Sequence, residues 1–217
     1  DWKMEEFYDY IHSLDSACLI GNNHHVATLD GEDFQMFEKD LPGQNTTGFA
    51  PDQKLSDILP LELCETMNNT WGYSVSDRIY KSSAQLIRTL ATLVSMNSNL
   101  LLNIGPQPNG ELPAAALDRL KGMGEWLEKY GESIYGTRAT GIKPQPWGET
   151  TCKDNTIYVH LLRQEKDILL PLAKKVKRVS VLNDGQPVSY ARIKGMLSLH
   201  VPEHEDVVDY IIKIELR

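Results

Sequence analysis

The order of its hydrophobic patterns most constrains what this chain can fold into. Over residues 1–135, helical stripes alternate with short apolar runs, and after about Gly141 the apolar period drops to two. Met4, Phe7, Tyr8, Ile11 and Leu14 mark one face of a helix over residues 3–14. Ala17-Cys18-Leu19-Ile20, closed by Gly21, reads as a buried strand. Residues 24–60 carry Pro42, Gly43, Gly48, Pro51 and Pro60 and show no period, which predicts a long functional connection. Leu61–Met67 predicts a second short strand. Residues 83–96 predict a helix on Leu86, Ile87, Leu90, Leu93 and Val94, and residues 99–104 a strand stopped by Gly105-Pro106. Pro113 opens a helix to about Tyr130, with Leu117, Leu120, Met123, Leu127 and Tyr130 inward. Alternation of helix and buried strand implies a parallel sheet with crossover helices, either an open doubly wound sheet or part of a barrel.

The stretch IKPQPWGE at 142–149 reads as a linker. Beyond it, Ile157, Val159 and Leu161 alternate with polar neighbours, as do Tyr210, Ile212, Ile214 and Leu216. Apolar runs near 168–173, 178–184 and 196–201 lie between them, with turn signals at Asn183-Asp184-Gly185 and Lys194-Gly195. About five short strands in ~75 residues imply a small antiparallel β-sandwich. The expected fold is therefore α/β over 1–141, followed by a β-sandwich over 142–217.

Several functions are disfavoured at once. A net charge of −8 opposes nucleic acid as a partner. No apolar run approaches the ~20 residues that cross a bilayer. Cys18, Cys64 and Cys152 are odd in number and contain no CxxC, so neither a disulfide framework nor a zinc ribbon is indicated. Neither GxxxxGK nor GxGxxG occurs, and the sequence calls for no cofactor.

In α/β sheets, ligands gather where strands end. The segment after Ile20 holds His24, His25, Asp30, Glu32, Asp33, Glu38 and Asp40. A metal site on the two histidines is disfavoured, because adjacent side chains point apart. Glu38 follows Phe34-Gln35-Met36-Phe37, and apolar neighbours raise a carboxyl toward general-acid duty. Glu62 and Glu65 lie on the next segment, and Trp71-Gly72-Tyr73 follows as core packing or as a platform for a sugar ring. Acids, amides and aromatics at strand ends suit a sugar, for binding alone or for reaction.

These segments resemble the α-L-fucosidases of glycoside hydrolase family 29. The resemblance rests on GNNHH at 21–25, GEDFQMFEKDLPG at 31–43, ELCETMNNTWGY at 62–73, NLLLNIGPQPNGELP at 99–113 and GEWLEKYGESIYGTRATG at 124–141. It implies the C-terminal part of a (β/α)₈-like barrel over 1–141, then the family's β-sandwich over 142–217. It implies retaining hydrolysis, in which an Asp attacks the anomeric carbon and a Glu first protonates the leaving oxygen and then activates water. Nothing here matches the nucleophile's Trp-x-Asp setting, so the resemblance places that Asp, and the N-terminal half of the barrel, outside this chain. Glu38 best matches the acid/base, with Glu32, Glu62 and Glu65 as rivals. His24 stands where many members carry a fucose-binding Arg, and Trp71 matches the aromatic that packs on the C6 methyl of fucose. The implied partners are a fucosylated glycan and the N-terminal half of the same protein, with a periplasmic or secreted location. The competing expectation is a non-catalytic sugar-binding or interaction protein built on the same fold.

Overall fold

Four short strands lie side by side in chain order: β1 (Gly21–Asn22), β2 (Phe34–Glu38), β3 (Leu61–Thr66) and β4 (Ser98–Asn103). Every neighbouring pair is parallel, as the alternating pattern predicts. The computed structural model describes residues 2–48, 54–205 and 208–217, so Pro51 of the long connection lies outside the described residues. Two compact units emerge, Asp1–Ile79 with Met96–Glu111, and Tyr80–Ser95 with Leu112–Arg217.

The first unit holds the parallel sheet and helix α1 (Met4–Leu14). The helix forms where its stripe predicts, yet only Tyr8 of that stripe is buried, while Phe7 is 56% and Leu14 70% exposed. The first strand differs from expectation. Cys18 and Leu19 are exposed, and the ladder begins only at Gly21. Ile20 is buried but bonds locally: its N–H donates to Asp33 Oδ2 at 2.7 Å and its carbonyl accepts from Asp33 N–H at 2.8 Å. Gly21 sits against the ring of Phe34 on its partner strand: a Cβ there would stand 2.2 Å from that ring and could enter only if the ring moved.

The supposed structureless stretch contains β2, an alternating strand with Gln35 and Phe37 buried. Gln35 disguises it, being polar on the buried face. Its amide donates to Lys54 O at 2.8 Å and accepts from Ser56 N–H at 2.9 Å, so its burial leaves no unmet bond. On β3 the buried alternates are Leu61 and Leu63. The opposite face carries the register rows Met36–Glu62–Asn99 and Glu38–Cys64–Leu101.

The second unit holds α2 (Ser83–Ser95), α3 (Ala114–Tyr130) and two antiparallel sheets. In α3 the buried residues are Ala116, Met123 and Trp126, whereas Leu117 and Leu120, expected inward, are exposed. Its face is thus rotated toward the small and aromatic positions. One sheet runs β5 (Arg138–Ala139), β6 (Gly148–Lys153), β7 (Thr156–Leu161), β12 (Tyr210–Leu216), β9 (Val176–Val181). The other runs β10 (Ser189–Ile193), β11 (Met196–His200), β8 (Asp167–Leu170). Their shared core includes Val159, Leu161, Val181, Ile212 and Ile214 from the first sheet and Ile168, Leu170, Leu197 and Leu199 from the second. The turn at Lys194-Gly195 is confirmed. Both residues have positive φ (50° and 82°), and Ile193 pairs with Met196 across it, the twist a two-residue hairpin needs.

Candidate active site

Because the sheet is parallel, the C-terminal ends of all four strands lie along one edge. Three side chains, Asn23, Lys39 and Asn103, stitch that edge together. Asn23, the residue after β1, donates from Nδ2 to Glu38 Oε2 at 2.7 Å, and Glu38 is the last residue of β2. Lys39 turns out of β2 with φ 61°, donates to Asn69 O at 3.1 Å, and holds its ammonium 5.1 Å from the Trp71 ring centroid. Asn103, the last residue of β4, donates to Trp71 O at 2.6 Å. Glu38 and Trp71 are thereby brought to the same end of the sheet, both half-buried.

The loop after β3 is built to present Trp71. Asp77 accepts from Asn68 Nδ2, the amide and side chain of Asn69, and the amide and hydroxyl of Thr70, at 2.8–3.2 Å. Desolvation pushes the Asp77 carboxyl up, but hydrogen bonds from Asn69, Ile79 and Thr70 outweigh it and leave it below the usual carboxylate range. Gly105 lets the loop after β4 pass close. A Cβ there would stand 2.3 Å from Tyr73 N and 2.4 Å from Gly72 C, both backbone atoms that cannot swing away. After β2, Asp40 organises its own turn by accepting from Thr46 Oγ1 and from Thr47 N and Oγ1. Its carboxyl too is depressed, since these bonds outweigh the opposing desolvation.

The other candidate acids sit differently. Glu32 is 7% exposed and occupied at both oxygens. Oε1 accepts from Tyr8 OH at 3.2 Å and His24 Nε2 at 2.7 Å, and Oε2 accepts from Leu29 N–H at 3.0 Å. Glu62 lies early in β3 on the same face as Glu38, and burial pushes its carboxyl up. Glu65 alternates to the opposite face, with Oε1 accepting from Thr66 N–H at 2.7 Å. Cys64, the register partner of Glu38, has its thiol pushed up by burial and then by the charges of Glu38, Glu62 and Glu65.

Both ring nitrogens of His24 are engaged within the first unit. Nδ1 accepts from Val26 N–H at 3.2 Å, so the ring's proton sits on Nε2 and is donated to Glu32. His25 follows with φ 60°, a left-handed turn that carries the chain out of the strand end. Among the described residues there is no cluster of three or more His, Cys, Asp or Glu side chains able to hold a metal ion. No helix of the described residues is long and apolar enough to cross a membrane. Sequence reasoning did not find Asn23 and Lys39 as site residues. Their partners are set by parallel register and by left-handed turns, which leave no periodic trace.

Comparison with known proteins agrees with this architecture. Human plasma alpha-L-fucosidase is 30% identical over 148 residues, covering 61% of this chain and 31% of that protein. The alpha-L-fucosidase of Dictyostelium discoideum is 30% identical over 120 residues, covering 53% of this chain and 26% of that one. Alpha-L-fucosidase isoenzyme 1 from Paenibacillus thiaminolyticus superposes with a TM-score of 0.81 at 33% identity, over 100% of this chain and 54% of that one. The Thermotoga maritima alpha-fucosidase in complex with fucose gives 0.74 at 25% identity, over 97% of this chain and 48% of that one. The chain thus spans about a third of the length of the curated relatives and about half of the solved chains. Its fold is the C-terminal part of the (β/α)₈-like barrel of those enzymes, followed by the antiparallel sandwich. The model of the Alpha-L-fucosidase family matches residues 1–132. On the strength of that match, which takes in all four parallel strands, this chain belongs to the α-L-fucosidase family, glycoside hydrolase family 29.

Proposed function

We propose that this chain is part of a retaining exo-α-L-fucosidase that removes terminal α-L-fucose from glycans, with Glu38 as acid/base and the nucleophilic Asp outside the chain. The observation that carries the reading is the placement of Glu38 at the C-terminal end of β2, oriented by Asn23, on the edge that also presents Trp71. Residues 1–141 supply the C-terminal half of the barrel and residues 142–217 its sandwich. The N-terminal half of the same protein completes the barrel, and the location is periplasmic or secreted.

In the first step the Asp carboxylate forms a bond to the anomeric carbon while the glycosidic C–O bond breaks. Glu38, protonated, gives its proton to the departing oxygen. In the second step Glu38, now ionised, takes a proton from water. The water oxygen bonds to the anomeric carbon and the Asp leaves as carboxylate. Trp71 supplies an apolar wall for the C6 methyl, the group that separates fucose from galactose. His24 stands at the position of the family's fucose-binding Arg, with its nitrogens holding the loop to Glu32 and Val26. The fucose complex of the Thermotoga relative supports the choice of sugar.

Dependence on leaving group tests the role of Glu38. A poor leaving group needs a proton and a good one departs without it. In the complete enzyme, Glu38→Ala should slow fucosylation by natural fucosides ~10²–10⁴-fold, and fucosylation by activated aryl fucosides far less. Equal slowing of both would remove Glu38 from the proton-transfer step.

A further inference from the structure

An acid/base residue has to be stable in two protonation states within one turnover, and its partner has to tolerate both. The partner of Glu38 is a side-chain amide. Asn23 Nδ2 donates to Glu38 Oε2 at 2.7 Å, an arrangement that favours the ionised carboxylate. The other end of the same amide, Oδ1, is buried and has no hydrogen-bond partner among the described residues. A buried, unpaired acceptor is costly, so its place beside a candidate acid needs a reason. Half a turn about the last side-chain bond of Asn23 exchanges the two ends. Oδ1 then faces Glu38 Oε2 as an acceptor for a protonated carboxyl.

We propose that Asn23 is a positioning residue for Glu38 that serves both protonation states, donating from Nδ2 to the carboxylate and accepting at Oδ1 from the carboxylic acid. The proposal rests on Glu38 being the acid/base. Before glycosylation the Glu38 proton is shared between the glycosidic oxygen and Oδ1. Once it has gone to the leaving group, the amide turns and Nδ2 holds the carboxylate until a water proton returns. The proton count balances over the two steps, and Asn23 neither gains nor loses one.

Other charged groups frame the same carboxyl. From β3 come Cys64 in register, Glu62 on the same face and Glu65 within electrostatic range of Cys64. From its own strand end comes Lys39, whose ammonium is directed to Asn69 O and the Trp71 ring. From the loop after β1, His24 is committed to Glu32. Among the described residues, Asn23 is the partner recorded for Glu38 by a direct side-chain hydrogen bond.

The test is the pH profile of kcat/KM for a natural fucoside in the complete enzyme, whose alkaline limb reports the acid that has to be protonated. Asn23→Ala removes the partner of both forms, and because the bond to the ionised form is the stronger, the limb should move up, by up to about one pH unit. Asn23→Asp sets a second carboxylate against the first, so the limb should move up by about two units or more. Both variants should also accumulate fucosyl-enzyme with an activated fucoside, because the returning base is no longer held. Asn23→Asp differs in one atom of the same shape and keeps the test alive where Asn23→Ala does not fold. A lowered plateau with an unmoved limb, or a limb moving down, would overturn the proposal. The reading of Glu38 itself fails separately, through absence of azide rescue in Glu38→Ala. Rescue there, with unmoved limbs in the Asn23 variants, sinks only the role of Asn23.

Discussion

Lys39 holds its ammonium 5.1 Å from the centroid of the Trp71 ring and bonds Asn69 O in the same loop. One side chain at the end of β2 thus braces the aromatic presented after β3, and does so next to Glu38. A cation over an indole face contributes ~0.5–1 kcal/mol where partly exposed. That is enough to bias the ring's orientation and too little to fold the loop, which Asp77 organises with five hydrogen bonds from residues 68–70.

Trp71→Ala in the complete enzyme should therefore leave the fold intact and weaken fucose binding by ~1–3 kcal/mol, the scale of one lost apolar contact. The preference for fucose over its C6-hydroxylated counterpart should narrow with it. Competitive inhibition by the two sugars measures both. An unchanged ratio would return Trp71 to packing duty.

Legibility in the sequence differs from one element to the next. The three helices and β4 were legible because each has an apolar stripe or run longer than a few residues. The strand β2 was not, since its buried face carries Gln35, whose satisfaction depends on Lys54 and Ser56 across the chain. The strand β6 was hidden in the same way. Its buried Thr150 and Thr151 look like loop residues until Thr140 and Ser133 are seen to bond them. The all-exposed β10 has no buried face to betray it. At the site, Glu38 and Trp71 were readable as residue types at strand ends. The bond from Asn23, the brace from Lys39 and the locking of His24 and Glu32 were not, because each depends on which strand lies beside which.

The second unit offers a contrast between two His–Asp pairs. His160 Nδ1 and Asp209 Oδ2 are 2.6 Å apart with neither side chain exposed, while His200 and Asp167 meet at 2.8 Å with both side chains 69% exposed. Thr151 Oγ1 donates to Ser133 O, so it accepts from His160 Nε2, and the imidazole is held at both nitrogens. Asp209→Ala leaves Nδ1 buried and unpaired and should destabilise by ~1–3 kcal/mol. Asp167→Ala should cost at most ~1 kcal/mol. Urea denaturation of the complete protein, following a signal from the sandwich, compares them, and equal costs would contradict the distinction.

Glu149 should reveal its burial through pH. Burial raises its carboxyl above the ordinary 4.5, with the Ser95 hydrogen bond and His160 opposing that in part. A raised folded value means the protonated form is the one folding favours. Its contribution is full below 4.5 and is lost as pH rises through the folded value. Glu149→Gln cannot ionise and still accepts from Ser95 Oγ, which lies 3.0 Å from Glu149 Oε2. Thermal melts should show the variant gaining on the native protein at pH 7 relative to the difference at pH 4. A gain that is the same at both values would mean the charge is not responsible.

Azide rescue tests most directly whether Glu38 is the acid/base of a retaining fucosidase. In the complete enzyme, Glu38→Ala given an activated aryl fucoside should form the fucosyl-enzyme and stall, since the second step lacks its base. Added azide needs no base, so turnover should recover and the product should be β-fucosyl azide, while Glu32→Ala, Glu62→Ala and Glu65→Ala show no such rescue. Rescue of one of those three and not of Glu38→Ala, or near-native turnover by Glu38→Ala without azide, would contradict the assignment.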